Sequence, residues 1–490
     1  MNQIKQLAGQ TAIYGLPSIV GRLLNYFLVP LYTYKLSTDA YGVVTEMYAY
    51  TAFLLVILMY GMETAFFRYS ELEKDKNKVY STGLISVLMT SVIFILLASV
   101  FSQDVASLIK HPQNKEYIIW FGLILGFDAI TSIPFAKLRA ENKAKRFALI
   151  KSINISANIG FNLFFIVLCP LLLENEILVK YVNLVYDGEI SVKYIFISNL
   201  IASSITIALL LPEIFSIERK FDRQLWKKLI VYALPLMVLG MAGNVNEMLD
   251  RLLLKYLLPE NIALSQVGIY GACYKVSIIM TIFIQAYKYA AEPFFFAQAK
   301  SKNAKDVYAH VLNYFVIIVS LIFLVTMMYM DDIVIRFIGP EFRVGMKVIP
   351  ILLLANLFLG IFYNLSIWYK LTNKTMLGAY IAILGAIVTI ALNIYWIPRI
   401  GYIGSAWATL ICYAAMMIIS FVLGHKYYPV KYNYVKITGY IGLAVLLFLF
   451  TEYLDLKTVS LRLGIHSAII IFYLVIVFII EKPKFNKSTI

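Results

Sequence analysis

The chain has 490 residues, of which 61% are hydrophobic and only 14% charged, and its formal net charge is +15. A soluble globular domain carries about 25% charged residues, so this composition, with a mean hydropathy of +0.78, excludes an ordinary water-soluble fold and makes lipid the main solvent. The basic residues lie in short segments between apolar runs, which argues against a nucleic-acid-binding face and matches the loops of a membrane protein.

A membrane helix needs roughly 20 mostly apolar residues, because it rises about 1.5 Å per residue across a core of ~30 Å. Backbone polar groups in lipid must be satisfied within the segment, so helices are the expected form. Fourteen runs qualify, near residues 11–34, 42–67, 80–101, 117–137, 147–172, 192–212, 228–250, 266–290, 308–330, 346–369, 375–397, 402–424, 435–453 and 462–480. The opening MNQIKQLAGQ has no small-residue cleavage site after a short apolar core, so the first span is expected to be retained. With the N-terminus inside, the inner segments hold 27 Lys and Arg residues and the outer ones 13. That bias predicts both termini in the cytoplasm. The longest loop, residues 173–191, is too short for a separate catalytic domain. Cys169, Cys273 and Cys412 stand alone in apolar runs, without a CxxC pair or ligand spacing, and read as small buried hydrophobes.

Taken in chain order, the charges inside these runs need explaining, since each costs about 2.5–3.5 kcal/mol at a bilayer centre on insertion scales. Arg22, in YGLPSIVGRLLNYFLVPLY, lies about eleven residues into the first span, roughly 17 Å deep. Its planar, permanently charged fork needs an anion, and phosphate or carboxylate suits it. Glu63, in MYGMETAFFRY, and Glu292, in AAEPFFF, sit at matching places near the inner ends of spans two and eight, where each could brace a gate by pairing with nearby loop bases. Asp128, in GFDAITSIP, is a candidate proton or cation site. Span seven ends NVNEMLDRLLLKY, with Glu247 and Asp250 one turn apart on one face and Arg251 beside them. Lys275, at a depth similar to Asp250, is either its ion-pair partner or a substrate contact. Lys288 is near the inner end of span eight. Tyr26, Tyr270 and Tyr274 could line a cavity and stack on sugar rings. Pro17, Gly21, Pro30, Pro235, Gly240 and Gly243 interrupt spans one and seven at like positions and would bend them.

The chain also resembles itself. YGLP at 14–17 recurs as YALP at 232–235, AYG at 40–42 meets QVG at 266–268, and KVY at 78–80 meets DVY at 306–308. ENK at 141–143 meets TNK at 372–374, and Asn162 meets Asn393. Over these five matches the offset drifts only upward, from 218 to 231. Six spans separate equivalent points, so the halves cross the membrane in the same sense, as in transporters built from parallel repeats. The expected fold is therefore an all-α integral membrane protein of about fourteen transmembrane helices. Two six-helix lobes, residues 1–222 and 223–428, would be related by a pseudo-two-fold axis along the membrane normal, and residues 429–490 would add two helices and a tail.

The stretch NEMLDRLLLKYLLP, SQVGIYGACYKVS and YAAEPFFF within 246–296, with MYGMETAFFRY (59–69) and NIYWIPRIGYIGSAWATLICY (393–413), resembles the polysaccharide-biosynthesis flippases of the multidrug/oligosaccharidyl-lipid/polysaccharide exporter superfamily, including O-antigen flippases. The resemblance implies movement of a lipid-linked oligosaccharide, on a polyprenyl pyrophosphate carrier, from the inner to the outer leaflet of a bacterial plasma membrane. It implies a cationic cavity, matched here by Arg22, Lys275 and Lys288. It implies no enzyme activity and no cofactor beyond a coupling Na+ or H+. The expected partners are the lipid-linked substrate, membrane lipids and other polysaccharide-assembly proteins, not nucleic acid. Two rival readings stay open. A cation-coupled multidrug exporter of the same superfamily would favour an acidic cavity. A membrane polysaccharide polymerase or ligase would need catalytic groups that do not stand out, since His111, His310, His425 and His466 are dispersed near loops or helix ends.

Overall fold

A computed structural model describes residues 21, 23–216, 221–299, 301–454 and 458–481. Among them, every regular element is helical, and thirteen helical segments are long and apolar enough to cross a membrane. These coincide with the second to fourteenth expected spans. The first span falls largely outside the described residues, as does Arg22.

We label the helices α1 (Leu28–Lys35), α2 (Thr38–Met59), α3 (Met62–Leu72), α4 (Lys76–Val100), α5 (Ser102–Leu108), α6 (Lys115–Ala140), α7 (Ala144–Leu172, with a π turn at Phe164–Leu168), α8 (Val192–Leu209), α9 (Arg223–Leu257), α10 (Glu260–Gln298), α11 (Ala304–Met328), α12 (Ile349–Leu365), α13 (Thr375–Ile400), α14 (Tyr402–Tyr427), α15 (Tyr434–Glu452) and α16 (Val459–Glu481). Side chains at the ends of the apolar runs start several of them. Ser37, Asp75, Asp222 and Asn433 each accept a hydrogen bond from a backbone N–H in the first turn that follows, satisfying donors that a helix start leaves open. The second span breaks between α2 and α3 at Tyr60 (φ 32°) and Gly61 (φ 75°). A side chain on Gly61 would also place its Cβ 2.7 Å from the carbonyl oxygen of Ala233.

The chain forms two compact units. One comprises residues 1–271 and 389–405, the other residues 272–388 and 406–490. The core of the first gathers Leu58, Met62, Tyr80, Ile133 and Leu229 from α2, α3, α4, α6 and α9. In the second, Ala355, Phe362, Trp368, Cys412 and Tyr413 pack together. These units do not follow the repeat, because α9 and the start of α10 pack with the first-half helices. The contact between α2 and α10 shows why. Cβ atoms built on Gly42 and Gly268 would lie 2.1 Å from the carbonyl oxygen of Leu264 and 2.0 Å from that of Thr38. Residues 38 and 264, like 42 and 268, are 226 apart. The contact is therefore reciprocal, as a local two-fold axis between repeat-related helices requires. Two glycines let the backbones meet, and Thr38 and Ser265 share a 2.8 Å hydrogen bond beside them.

Candidate functional site

Within the first unit, α2, α3, α6, α7 and α8 line a half-open cavity of about 340 Å³ whose walls mix polar and apolar side chains. Asp128 is near the middle of α6, about 18 Å from its end at the helical rise. Its carboxylate accepts a hydrogen bond from the Ser203 hydroxyl at 2.9 Å. Lys151, seven residues into α7, places its ammonium 4.2 Å from the centre of the Phe135 ring. Asn154 donates to the Thr206 hydroxyl at 2.8 Å and to the Ala202 carbonyl at 3.1 Å, and Asn199 donates to the Tyr48 hydroxyl at 3.0 Å. At the rim, Arg139 is paired with Glu63 and lies 4.8 Å over the Phe67 ring. Acid, base and amide groups thus face one space inside helices whose other faces are apolar. Such a space can take water, a small cation, or the charged part of a larger molecule, because its polar groups replace part of the hydration that burial removes.

The second unit contains a counterpart of the rim. Lys370 donates to Glu292 at 2.7 Å. Glu63 and Glu292 are 229 residues apart, Arg139 and Lys370 231 apart, in step with the repeat. Both carboxylates therefore hold a base at the far end of a neighbouring span in their own half. Beside the second pair, Lys288 sits 4.6 Å over the Tyr363 ring, and Tyr287 donates to the Asn364 side chain at 2.5 Å. The recess they border has a volume of only about 20 Å³, space for about one water molecule.

A third cluster lies where the start of α2 and the end of α9 meet the turn after α5. Glu46, His111 and Lys255 are 0%, 8% and 4% exposed. The Lys255 ammonium donates to the Glu46 Oε1 at 2.5 Å, to the Ile109 carbonyl at 2.5 Å, and faces the His111 Nε2 at 3.0 Å. The same Nε2 is 2.9 Å from the Glu46 Oε2. About one turn back along α9, the Asp250 carboxylate accepts from Arg251 at 2.8 Å and from the Tyr270 hydroxyl at 2.6 Å. Arg251 also donates to the Glu247 carbonyl and lies 5.6 Å over the Tyr270 ring.

The sequence-expected residues are thus distributed among several places. Asp128 and Glu63 share the first cavity, Lys288 and Glu292 share the second recess, and Asp250, Arg251 and Tyr270 form one tight group. Glu247 is exposed although Asp250 is buried. The buried partners of Asp250 are Arg251 and Tyr270. Tyr274 is buried, Tyr26 half-buried and Lys275 exposed. Six further residues, Arg139, Lys370, Lys151, Glu46, His111 and Lys255, belong to these clusters. Lys151 and Lys255 lie near the ends of apolar runs, so their sequence positions alone do not mark them as buried charges. His111 was read as one of four scattered histidines. The sequence carries a signal for Glu46: it is a carboxylate inside the run 42–67, and a charge within a span needs a partner, as Arg22 does. Among the described residues, the three cysteines are buried and free, and no group of three or more His, Cys, Asp or Glu side chains could hold a metal ion.

Comparison with known proteins places this geometry. The chain is similar to a solved structure named "Lipid II flippase MurJ, inward closed conformation", with 13% identity and a TM-score of 0.73, covering 95% of this chain and 98% of that one. It is also similar to an inward-facing conformation of a multidrug resistance MATE family transporter of the MOP superfamily, with 12% identity and a TM-score of 0.65, covering 88% and 98%. At these identities the likeness is one of fold. In sequence it is 22% identical over 410 residues to the Haemophilus influenzae Lsg locus putative protein 1, covering 81% of this chain and 94% of the relative. Residues 7–298, more than half of the chain, match the model of the polysaccharide biosynthesis protein family. The chain is a multi-pass membrane protein with a flippase and transporter fold, and it belongs to the polysaccharide biosynthesis protein family.

Proposed function

We propose that the protein is a flippase that carries a lipid-linked oligosaccharide, held on polyprenyl pyrophosphate, from the inner to the outer leaflet of a bacterial plasma membrane. Alternating access between lobes 1–222 and 223–428 moves the headgroup, with 429–490 as added helices and both termini in the cytoplasm. In this reading the Glu63–Arg139 and Glu292–Lys370 pairs lie toward the cytoplasm, and the Glu46–His111–Lys255 cluster lies toward the outside. Arg22, Lys275 and Lys288 meet the pyrophosphate, Tyr26, Tyr270 and Tyr274 border the sugar path, and Asp128 takes part in coupling to H+ or Na+. The observation that carries the reading is the cavity of Asp128, Lys151 and Arg139, a charged compartment built within apolar spans. A pyrophosphate in hydrocarbon carries a very large desolvation penalty, and a wet, charged passage lowers it.

A second reading, a cation-coupled multidrug exporter, draws on the likeness to the MATE transporter and on the acid in mid-span. The two differ in cargo. Deletion of the gene should stop surface glycan export with lipid-linked glycan accumulating inside, and Arg22→Ala should do the same while the protein stays in the membrane. Normal export with a new sensitivity to cationic drugs would favour the exporter.

A further inference from the structure

The Glu46–His111–Lys255 cluster cannot satisfy all its contacts with a fixed set of protons. The Lys255 ammonium has three donors, and its three neighbours are Glu46, the Ile109 carbonyl and the His111 Nε2. To accept from Lys255, the His111 Nε2 must be unprotonated. It then confronts the Glu46 Oε2 at 2.9 Å with no hydrogen between two lone pairs. In the other neutral tautomer Nε2–H donates to the Glu46 Oε2, and Lys255 loses that partner, so neither neutral tautomer serves both contacts. A nearly waterless site with one carboxylate balances one cation at a time.

We infer that this cluster is a proton-binding site in which a proton and Lys255 are alternative counter-ions of Glu46. Glu46 and His111 stand on α2 and the turn after α5, and Lys255 stands on α9. While α9 is docked, Lys255 neutralises Glu46 and His111 stays neutral. When α9 withdraws, its ammonium passes into water. A proton from that water then binds between the His111 Nε2 and the Glu46 Oε2, leaving the remaining pair neutral. Docking reverses the exchange and expels the proton. Other groups also face the site. The Tyr50 hydroxyl faces Glu46 and shares a hydrogen bond with Tyr256 at 2.5 Å, Lys110 pairs with Glu260 at 2.5 Å, and Asp250 is held by Arg251 and Tyr270. The binding site rests on this cluster, and the withdrawal of α9, with the opening of the outer side, rests on the flippase reading.

The test is a distance measured against pH by double electron–electron resonance on the full-length protein in lipid nanodiscs, with spin labels at Asp104→Cys and Asn261→Cys, two exposed sites flanking the cluster. Lowering the pH from about 8 to about 5.5, across the range where histidine titrates, should shift the population toward longer distances. His111→Gln keeps an acceptor for Lys255 but binds no proton, and should hold the short distance throughout. Lys255→Met removes the competing cation and should populate the longer distances already near pH 8. A wild-type distance that ignores pH, or a His111→Gln response equal to wild type, overturns the site. Leaflet exchange that persists with a pH-independent distance would leave the flippase reading standing without this site. A pH-dependent distance in a protein that exchanges no lipid-linked glycan would do the reverse.

Discussion

In the first half of the repeat, Glu63 holds Arg139 at the edge of a cavity of about 340 Å³; in the second, Glu292 holds Lys370 at the edge of a recess of about 20 Å³. The frame is shared and the interior is not. At the repeat offset of 229–231, Asp128 corresponds to the run Leu357, Phe358 and Leu359, and Lys151 corresponds to Ala382. Where the first half places charge that must be hydrated or paired, the second places apolar residues at the corresponding positions. A duplicated scaffold thus retains the contacts that position its helices and can change the residues that face inward. Under the proposed flippase function, the charged interior of the first half is the part to which a transport role attaches.

The strongest way to break this contrast is to make the first interior like the second. Asp128→Leu together with Lys151→Ala should reduce glycan export at least about tenfold, since the polar groups left behind no longer support a hydrated passage. Leu359→Asp in the second half should give no compensating gain. Export by complementation, with membrane levels checked, measures both. Next in size are the glycines of the reciprocal contact. Gly42→Ala and Gly268→Ala each drive a methyl group against a carbonyl oxygen and should each cost about 1–3 kcal/mol. Because the contact is symmetric, thermal unfolding should show nearly equal losses, and a large inequality would argue against the local two-fold. A smaller effect is expected at the rim. Glu63→Gln and Glu292→Gln remove ion pairs that are roughly one-third exposed, worth about 0.2–1 kcal/mol each. Exchanging the charges in Glu63→Arg with Arg139→Glu should restore most of what Glu63→Arg alone loses. The smallest concerns Asp222, whose carboxyl is held down at about 2 by Lys78 and by the first amides of α9. A depressed carboxyl stabilises the fold above its unfolded value of ~3.9 and loses that contribution as pH falls toward 2. Asp222→Asn should therefore lower the melting temperature by under about 2 °C at pH 7 and by almost nothing near pH 2.

The spans could be read from the sequence because lipid imposes one local condition, an apolar run of sufficient length, and each run satisfies it within itself. The rim acids were legible for a related reason: duplication printed Glu63 and Glu292 at the same register. The Glu46 cluster was not, because its members are 65 and 209 residues apart and only packing brings them together. Hydropathy also ends the seventh run near residue 250, whereas α9 continues to Leu257. Asp250, Arg251 and Lys255 lower the local hydropathy yet turn inward to protein partners, so a scale that assumes water or lipid around every residue misplaces them.

Exchange of a polyprenyl pyrophosphate-linked oligosaccharide between leaflets of liposomes containing only this protein tests the central claim most directly. The account predicts exchange that saturates with substrate and falls at least about tenfold in the Asp128→Leu, Lys151→Ala variant. Exchange no faster than in protein-free liposomes, from correctly inserted wild-type protein under an imposed proton or sodium gradient, would contradict it.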